Sequence, residues 1–325
     1  MNSIIDSLDS RILVLDGAMG TMIQSYNLNE NDFRGNKFKN HNSPLKGNND
    51  LLSITKPEII KEIHKGYLDA GADIIETNTF SSTSIAMEDY DMQDYVYDLN
   101  FESARIAKEV TKKYSTKKYV AGAIGPTNKT ASMSPDVNDP GFRAITFDEL
   151  VDTYTEQVRG LVDGGCDMLL VETIFDTLNA KAALISISNY FEENKINLPL
   201  MVSGTITDQS GRTLSGQTLN AFLISLSHFP IISIGLNCAL GADQLTPYLR
   251  RLSDNTEFYV STHPNAGLPN AFGEYDQTPK EMLNQIRVYL KENLINIVGG
   301  CCGTTYEHIR LIAEEVKKYK PRKVK

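Results

Sequence analysis

Two adjacent cysteines, Cys301 and Cys302, stand between glycines in the stretch INIVGGCCGTT, where an apolar β-like run ends. Neighbouring side chains of a strand point to opposite faces, so both sulfurs reach one point only if the backbone leaves the strand there. Gly299, Gly300 and Gly303 permit that departure. A third cysteine, Cys238, closes another apolar run, IISIGLN (231–237). Three thiolates around Zn2+ at ~2.3 Å leave one tetrahedral position open, which marks a catalytic rather than a structural zinc. The amide oxygen of Asn265 is placed to fill that position when no substrate is present. A metal already bearing three thiolates is a poor hydrolytic centre, because its ligands have donated much charge. It suits the capture of another thiol, held as thiolate well below its free pKa of ~8.5. The predicted chemistry is alkyl transfer to a substrate thiol.

Other readings of the cysteines are weaker. A vicinal disulfide at 301–302 is disfavoured in a reducing compartment, and the chain contains no CxxC pair for a zinc ribbon or thioredoxin-type site. Three unrelated packed cysteines on one rim would be a coincidence. The fourth, Cys166, precedes an apolar run and reads as a small buried hydrophobe. The start MNSIIDSLDSR has neither the n-region nor the h-region of a signal peptide, and no apolar run approaches the ~20 residues of a membrane span. A net charge of −9 argues against a nucleic-acid or anionic-membrane surface. The expected location is therefore cytoplasmic.

The elements that must position these residues are legible as eight short apolar runs: 11–16, 72–77, 119–125, 167–173, 200–206, 231–237, 258–263 and 295–300. They are near-continuously apolar, as strands buried on both faces should be. Helical patterns lie between most of them, several opening on Pro, Thr or Asp in capping positions. Eight βα units over 325 residues predict an α/β fold, a (β/α)8 TIM barrel forming one domain over 1–325. An open doubly wound sheet is the competitor, but no GxGxxG follows any strand. A long polar insertion, 21–56, follows strand one and reads as a lid or decoration. Active sites of barrels sit at the C-terminal strand ends. Those ends carry Asp16, Glu76, Asn78, Glu172, Thr205, Asn237, Cys238, His263, Asn265, Cys301 and Cys302.

Longer stretches give a resemblance: LDGAMGTMIQ, LKGNNDLL, AGADIIETNTFSSTSIAM, GPTNKTASMSPDVNDPGFR, VETIFDTLNAKAA, SGTITDQSGRTLSGQT, GLNCALG, HPNAGLPNAFGEYD and VGGCCGTT. Together they span about Ile12 to Val316, and the chain resembles the zinc-dependent homocysteine S-methyltransferase family. Within it, the similarity is to the N-terminal homocysteine module of cobalamin-dependent methionine synthase. The resemblance implies a TIM barrel, zinc ligands Cys238, Cys301 and Cys302, and Asn265 as the fourth ligand before substrate arrives. It also implies that Asp16 and the backbone of Gly17 and Ala18 receive the amino-acid end of homocysteine, and that Glu172 accepts from its ammonium.

The chain departs from the long form of that synthase. A cobalamin module would carry DxHxxG, yet none of the five histidines has Asp two residues before it. The expectation is a homocysteine-activating subunit of a split synthase, forming methionine with methylcobalamin supplied by a separate cobalamin- and folate-binding partner. LKGNNDLL and SPDVNDP favour this branch. The alternatives are a stand-alone enzyme using S-methylmethionine or betaine, and a non-catalytic zinc-thiolate redox sensor. The basic tail, 317–325, reads as a solvated end that can meet an acidic partner.

Overall fold

A computed structural model describes residues 3–207 and 210–324; Asp208 and Gln209 of the SGTITDQSG stretch, and Lys325 of the tail, lie outside the described residues. Eight parallel strands are joined in the order β1-β8-β7-β6-β5-β4-β3-β2. They are β1 (Leu13–Val14), β2 (Ile74–Glu76), β3 (Tyr119–Ile124), β4 (Met168–Ile174), β5 (Leu200–Gly204), β6 (Ser233–Gly241), β7 (Tyr259–Asn265) and β8 (Ile297–Val298). A parallel bridge between Leu15 and Ile74 joins β1 to β2 and closes the ring. The fold is the expected (β/α)8 barrel.

Outer helices follow each strand and pack their apolar faces on it. Their starts are set by side chains that satisfy otherwise orphaned amides. Thr146 and Thr278 form capping boxes with Glu149 and Glu281, Asp176 and Thr218 cap the next two, and Pro57 and Pro279 occupy first-turn positions. Inside the ring a second apolar cluster fills the lower barrel with Leu13, Leu15, Ile74, Tyr119, Met168 and Met201. The N-terminal helix Ile4–Ser10 plugs that end with Ile4 and Leu8. The strand starts are tied by one recurring device. Asp73, Asp167 and Asn296 accept from the amides of Val14, Val120 and Val260 on the preceding strands, at 3.0, 2.8 and 3.0 Å.

One expectation gains detail and two need correction. The insertion 21–56 is tied into the core. Phe33, Phe38, Leu45, Leu51 and Leu52 are buried in the main core. Glu30 accepts from the amides of Leu45 and Lys46, while Arg34 donates to the carbonyls of His41 and Ser43. Next, β6 does not stop at Asn237; it continues through Cys238 to Gly241 across an irregularity in its pairing with β7. Finally, the tail is not simply solvated. Arg322 is 5% exposed and donates to Ser253 Oγ and to the carbonyls of Ser253, Thr256 and Phe258 at 2.6–3.0 Å. The end of the helix Ala242–Asn255 leaves carbonyls without intrahelical partners, and a guanidinium has enough donors to serve several at once. Arg322→Ala should therefore lower the urea midpoint by an amount equivalent to about 1–3 kcal/mol, whereas Lys320→Ala, at an exposed position, should leave it unchanged.

Candidate metal centre and substrate pocket

The cysteine doublet converges because its backbone turns. Gly299 and Gly300 lie so close to Leu15 and Thr304 that a Cβ on either would sit 2.7 and 2.5 Å from them. Gly303 has φ +79° and faces Tyr275. The turn is pinned by bonds from Cys301 N to Pro264 O (2.8 Å), Ala266 N to Cys302 O (2.9 Å) and Thr304 Oγ1 to Cys301 O (2.7 Å). From the other side, Cys238 and Ala239 both take left-handed backbone, φ +56° and +54°, inside the β6 irregularity. Such conformations cost about 1–3 kcal/mol each and persist only where the surroundings enforce them.

The result is a triad of sulfurs. Cys238 Sγ lies 3.8 Å from Cys302 Sγ, which lies 4.0 Å from Cys301 Sγ, and all three fall within 4.8 Å of one another. Tetrahedral thiolates at ~2.3 Å from zinc would be about 3.8 Å apart, so the donor set fits the ion. Contacts from Cys238 and Cys301 pull the Cys302 thiol down to about 3, while contacts from Cys238 and Cys302, then burial, push Cys301 well above its usual range. Asn265 is buried at the end of β7, and its Oδ1 has no hydrogen-bond partner among the described residues. An unpartnered buried amide oxygen suits the role of fourth ligand. Cys166 lies in the core instead, its thiol pushed up to about 12 by burial.

Below the sulfurs the inward-facing residues of the upper barrel are polar. Glu76, Glu172 and His263 bring one ligand atom each within 4.8 Å of the others. His263 Nε2 is 3.5 Å from Glu172 Oε2, a contact rather than a hydrogen bond. Burial, then the charge of Glu172, raises Glu76 to about 8; burial, then the charge of Cys302, raises Glu172 to about 8. Asp16 is raised by burial and by the charge of Glu76, from whose amide it accepts at 3.1 Å, and burial lowers His263. Among the described residues, no lysine or arginine forms an ion pair with Glu76 or Glu172. Sequence reasoning placed Glu76 and His263 on the rim without assigning them a role.

The DGAMG loop closes the same pocket and is bonded to the cysteine turn. Ala18 N donates to Thr304 Oγ1 (3.1 Å), Tyr67 OH donates to Ala18 O (3.1 Å) and Gly303 N donates to Thr21 Oγ1 (3.0 Å). Receiving a carboxylate at Ala18 N thus requires that bond to be given up, which leaves Gly17 as the loop's backbone candidate. Thr304, Tyr67 and Tyr275 were missed by sequence reasoning; only Thr304, inside CCGTT, carried a local signal. One cavity of about 950 Å³ is lined by the three cysteines, Glu76, Glu172, His263, the DGAMG loop and Tyr275, and runs on to Asp50, Tyr90 and Asn128. Asp50 belongs to the insertion and accepts from Ser81 N and Ser82 Oγ at 2.8 and 2.9 Å.

Purified protein should hold about one zinc per chain by elemental analysis. Cys238→Ser, Cys301→Ser and Cys302→Ser should each lose it, and Cys166→Ser should keep it. Equal loss in all four variants would contradict the triad.

Comparison with known proteins agrees with the geometry. A family model described as homocysteine S-methyltransferase matches residues 13–316. The fold is similar to that of the homocysteine methyltransferase MmuM of Escherichia coli. Its metallated form shares 23% identity over 96% of this chain and 98% of that one, with a TM-score of 0.72. Its oxidized form shares 21% over 94% and 96%, with a TM-score of 0.71. With nearly the whole barrel matched, the chain belongs to the homocysteine S-methyltransferase family and is a methyltransferase.

Proposed function

We propose that the protein is a zinc-dependent homocysteine S-methyltransferase that forms methionine, the homocysteine-activating subunit of a split cobalamin-dependent methionine synthase. The observation that carries this reading is the placement of three converging sulfurs beside a buried acidic cluster in one cavity. Cys238, Cys301 and Cys302 would hold the ion, with Asn265 in the fourth position until substrate arrives. Bound there, zinc supplies the means to keep a fourth sulfur as thiolate at neutral pH.

The chain's own residues do the rest. Glu172, with Glu76 and Asp16 close by, receives the substrate ammonium. Glu172 is preorganised for this by its place on β4 and its burial. The Gly17 backbone takes the carboxylate. With the amino-acid end held, the sulfur is directed toward the cysteine turn. The methyl passes to that sulfur, which loses its thiol proton, and the donor leaves without its methyl.

Two features support a macromolecular donor. The cavity, at the upper end of the ~300–1,000 Å³ typical of drug-sized ligands, is far larger than a small amino acid needs. Phe80, on the loop after β2, lines the cavity and is 40% exposed, and the loops after β3, β5 and β7, which leave the same C-terminal end of the barrel, carry exposed Val137, Phe142, Leu214, Leu268 and Phe272. Apolar side chains exposed on this one end of the barrel suit an interaction face. A cobalamin-carrying partner would bring its methyl group there.

Glu172→Gln should raise the KM for homocysteine about ten- to a hundredfold while zinc stays bound, because one charge-assisted bond of roughly 1.5–3 kcal/mol is lost. Unchanged kinetics would make Glu172 a structural residue. The donor is tested by offering zinc-loaded protein homocysteine with methylcobalamin, S-methylmethionine or betaine in separate assays and measuring methionine. Turnover with methylcobalamin alone is expected. Turnover only with S-methylmethionine or betaine would make the protein a stand-alone enzyme, and zinc expulsion by homocysteine without turnover would make it a sensor.

A further inference from the structure

Thr173, the residue after Glu172, is β-branched yet adopts left-handed backbone with φ +54°. It sits where the β4–β5 pairing shifts register between Val171 and Ile174. For a β-branched residue this conformation is a true outlier, so something must enforce it. The enforcing group is on β6. Asn237 is fully buried, and its carboxamide grips Thr173 twice: Oδ1 accepts from Thr173 N at 3.0 Å, and Nδ2 donates to Thr173 Oγ1 at 2.8 Å. Ser203 Oγ on β5 donates to the same Oδ1 at 2.7 Å, which locks the amide's orientation. The next residue along β6 is Cys238, itself left-handed.

We infer that Asn237 is a positioning residue whose buried amide couples the strained turn beside Glu172 to the strained turn that presents Cys238, and so sets the distance between substrate ammonium site and metal site. The inference rests on the proposed use of Glu172 for homocysteine. One side chain thereby spans three strands, β4, β5 and β6. Its two neighbours in function, Glu172 and Cys238, are each a single residue from its points of attachment. A shift of either bulge is transmitted to the other through a pair of short hydrogen bonds rather than through the flexible loops above.

The test is a double-mutant cycle of Asn237→Ala with Thr173→Gly. Glycine adopts the left-handed turn at no steric cost, so it should make the clamp dispensable at that point. Homocysteine affinity of the zinc-loaded proteins is measured by calorimetry, and urea midpoints are measured on the metal-free proteins. Asn237→Ala should weaken homocysteine binding about tenfold or more and lower the urea midpoint, since buried donors lose their partner. Adding Thr173→Gly should recover most of both losses in that variant while changing the wild type little. The effect of glycine on the unfolded chain cancels in the cycle. Equal effects of Thr173→Gly in the two backgrounds would overturn the inference. Absence of homocysteine binding by the wild type would sink the substrate assignment instead, and the urea cycle would still decide the clamp.

Discussion

Three thiols within 4.8 Å of one another share a charge problem that the surrounding fold exists to contain. Contacts with its two neighbours favour the thiolate at Cys302 and disfavour it at Cys301, and ionising all three would set like charges in near contact. A divalent ion removes the repulsion, but only if the sulfurs are already held at the right spacing. Backbone at both ends is therefore strained or crowded. Left-handed Cys238 and Ala239 meet a glycine-rich turn in which added side-chain atoms would collide with Thr304 and Tyr275. Nothing flexible remains at the ligands themselves.

That rigidity extends to the substrate side. Thr304 joins the cysteine turn to the DGAMG loop, accepting from Ala18 N and donating to Cys301 O. Asn237 joins β6 to β4, and Asp50 ties the insertion to the loop after β2. The cysteine triad, DGAMG loop and acidic cluster thus form one hydrogen-bonded unit standing on an apolar barrel floor. The barrel explains why this is affordable. Its lower half, plugged by Ile4 and Leu8, and the helix-packed outer faces of its strands bury the apolar side chains that stabilise the fold. The upper interior is free to carry the half-buried Glu76 and the buried Glu172, Asn237 and His263, groups that are costly to bury.

The two acids held near pH 8 show how that cost is managed. At neutral pH they avoid unpaired buried charge by staying protonated, and an arriving ammonium would let them ionise. On the proposed use of this cluster, it would select for a cationic amino group over a neutral isostere, because only the cation offsets the burial of the carboxylates.

Much of this was readable in the chain alone. Eight apolar runs of strand length announced the barrel, since strands covered on both faces cannot alternate polar and apolar residues. The barrel's topology then placed Cys238 and Cys301–Cys302 on one rim and Cys166 in the core. The GGCCG spacing announced a turn, because only glycine tolerates such crowding. What the chain alone left open were contacts between distant residues. The grip of Asn237 on Thr173 spans 64 positions, the bond from Ala18 to Thr304 spans 286, and the guanidinium of Arg322 reaches back 69 to Ser253. The extension of β6 past Cys238 was also unreadable, as left-handed backbone at Cys238 and Ala239 has no local signature in residues that rarely adopt it. Local preference and periodicity are short-ranged and survive in the sequence. Which buried donor meets which acceptor is settled only when packing brings the strands together, and that choice belongs to the tertiary structure.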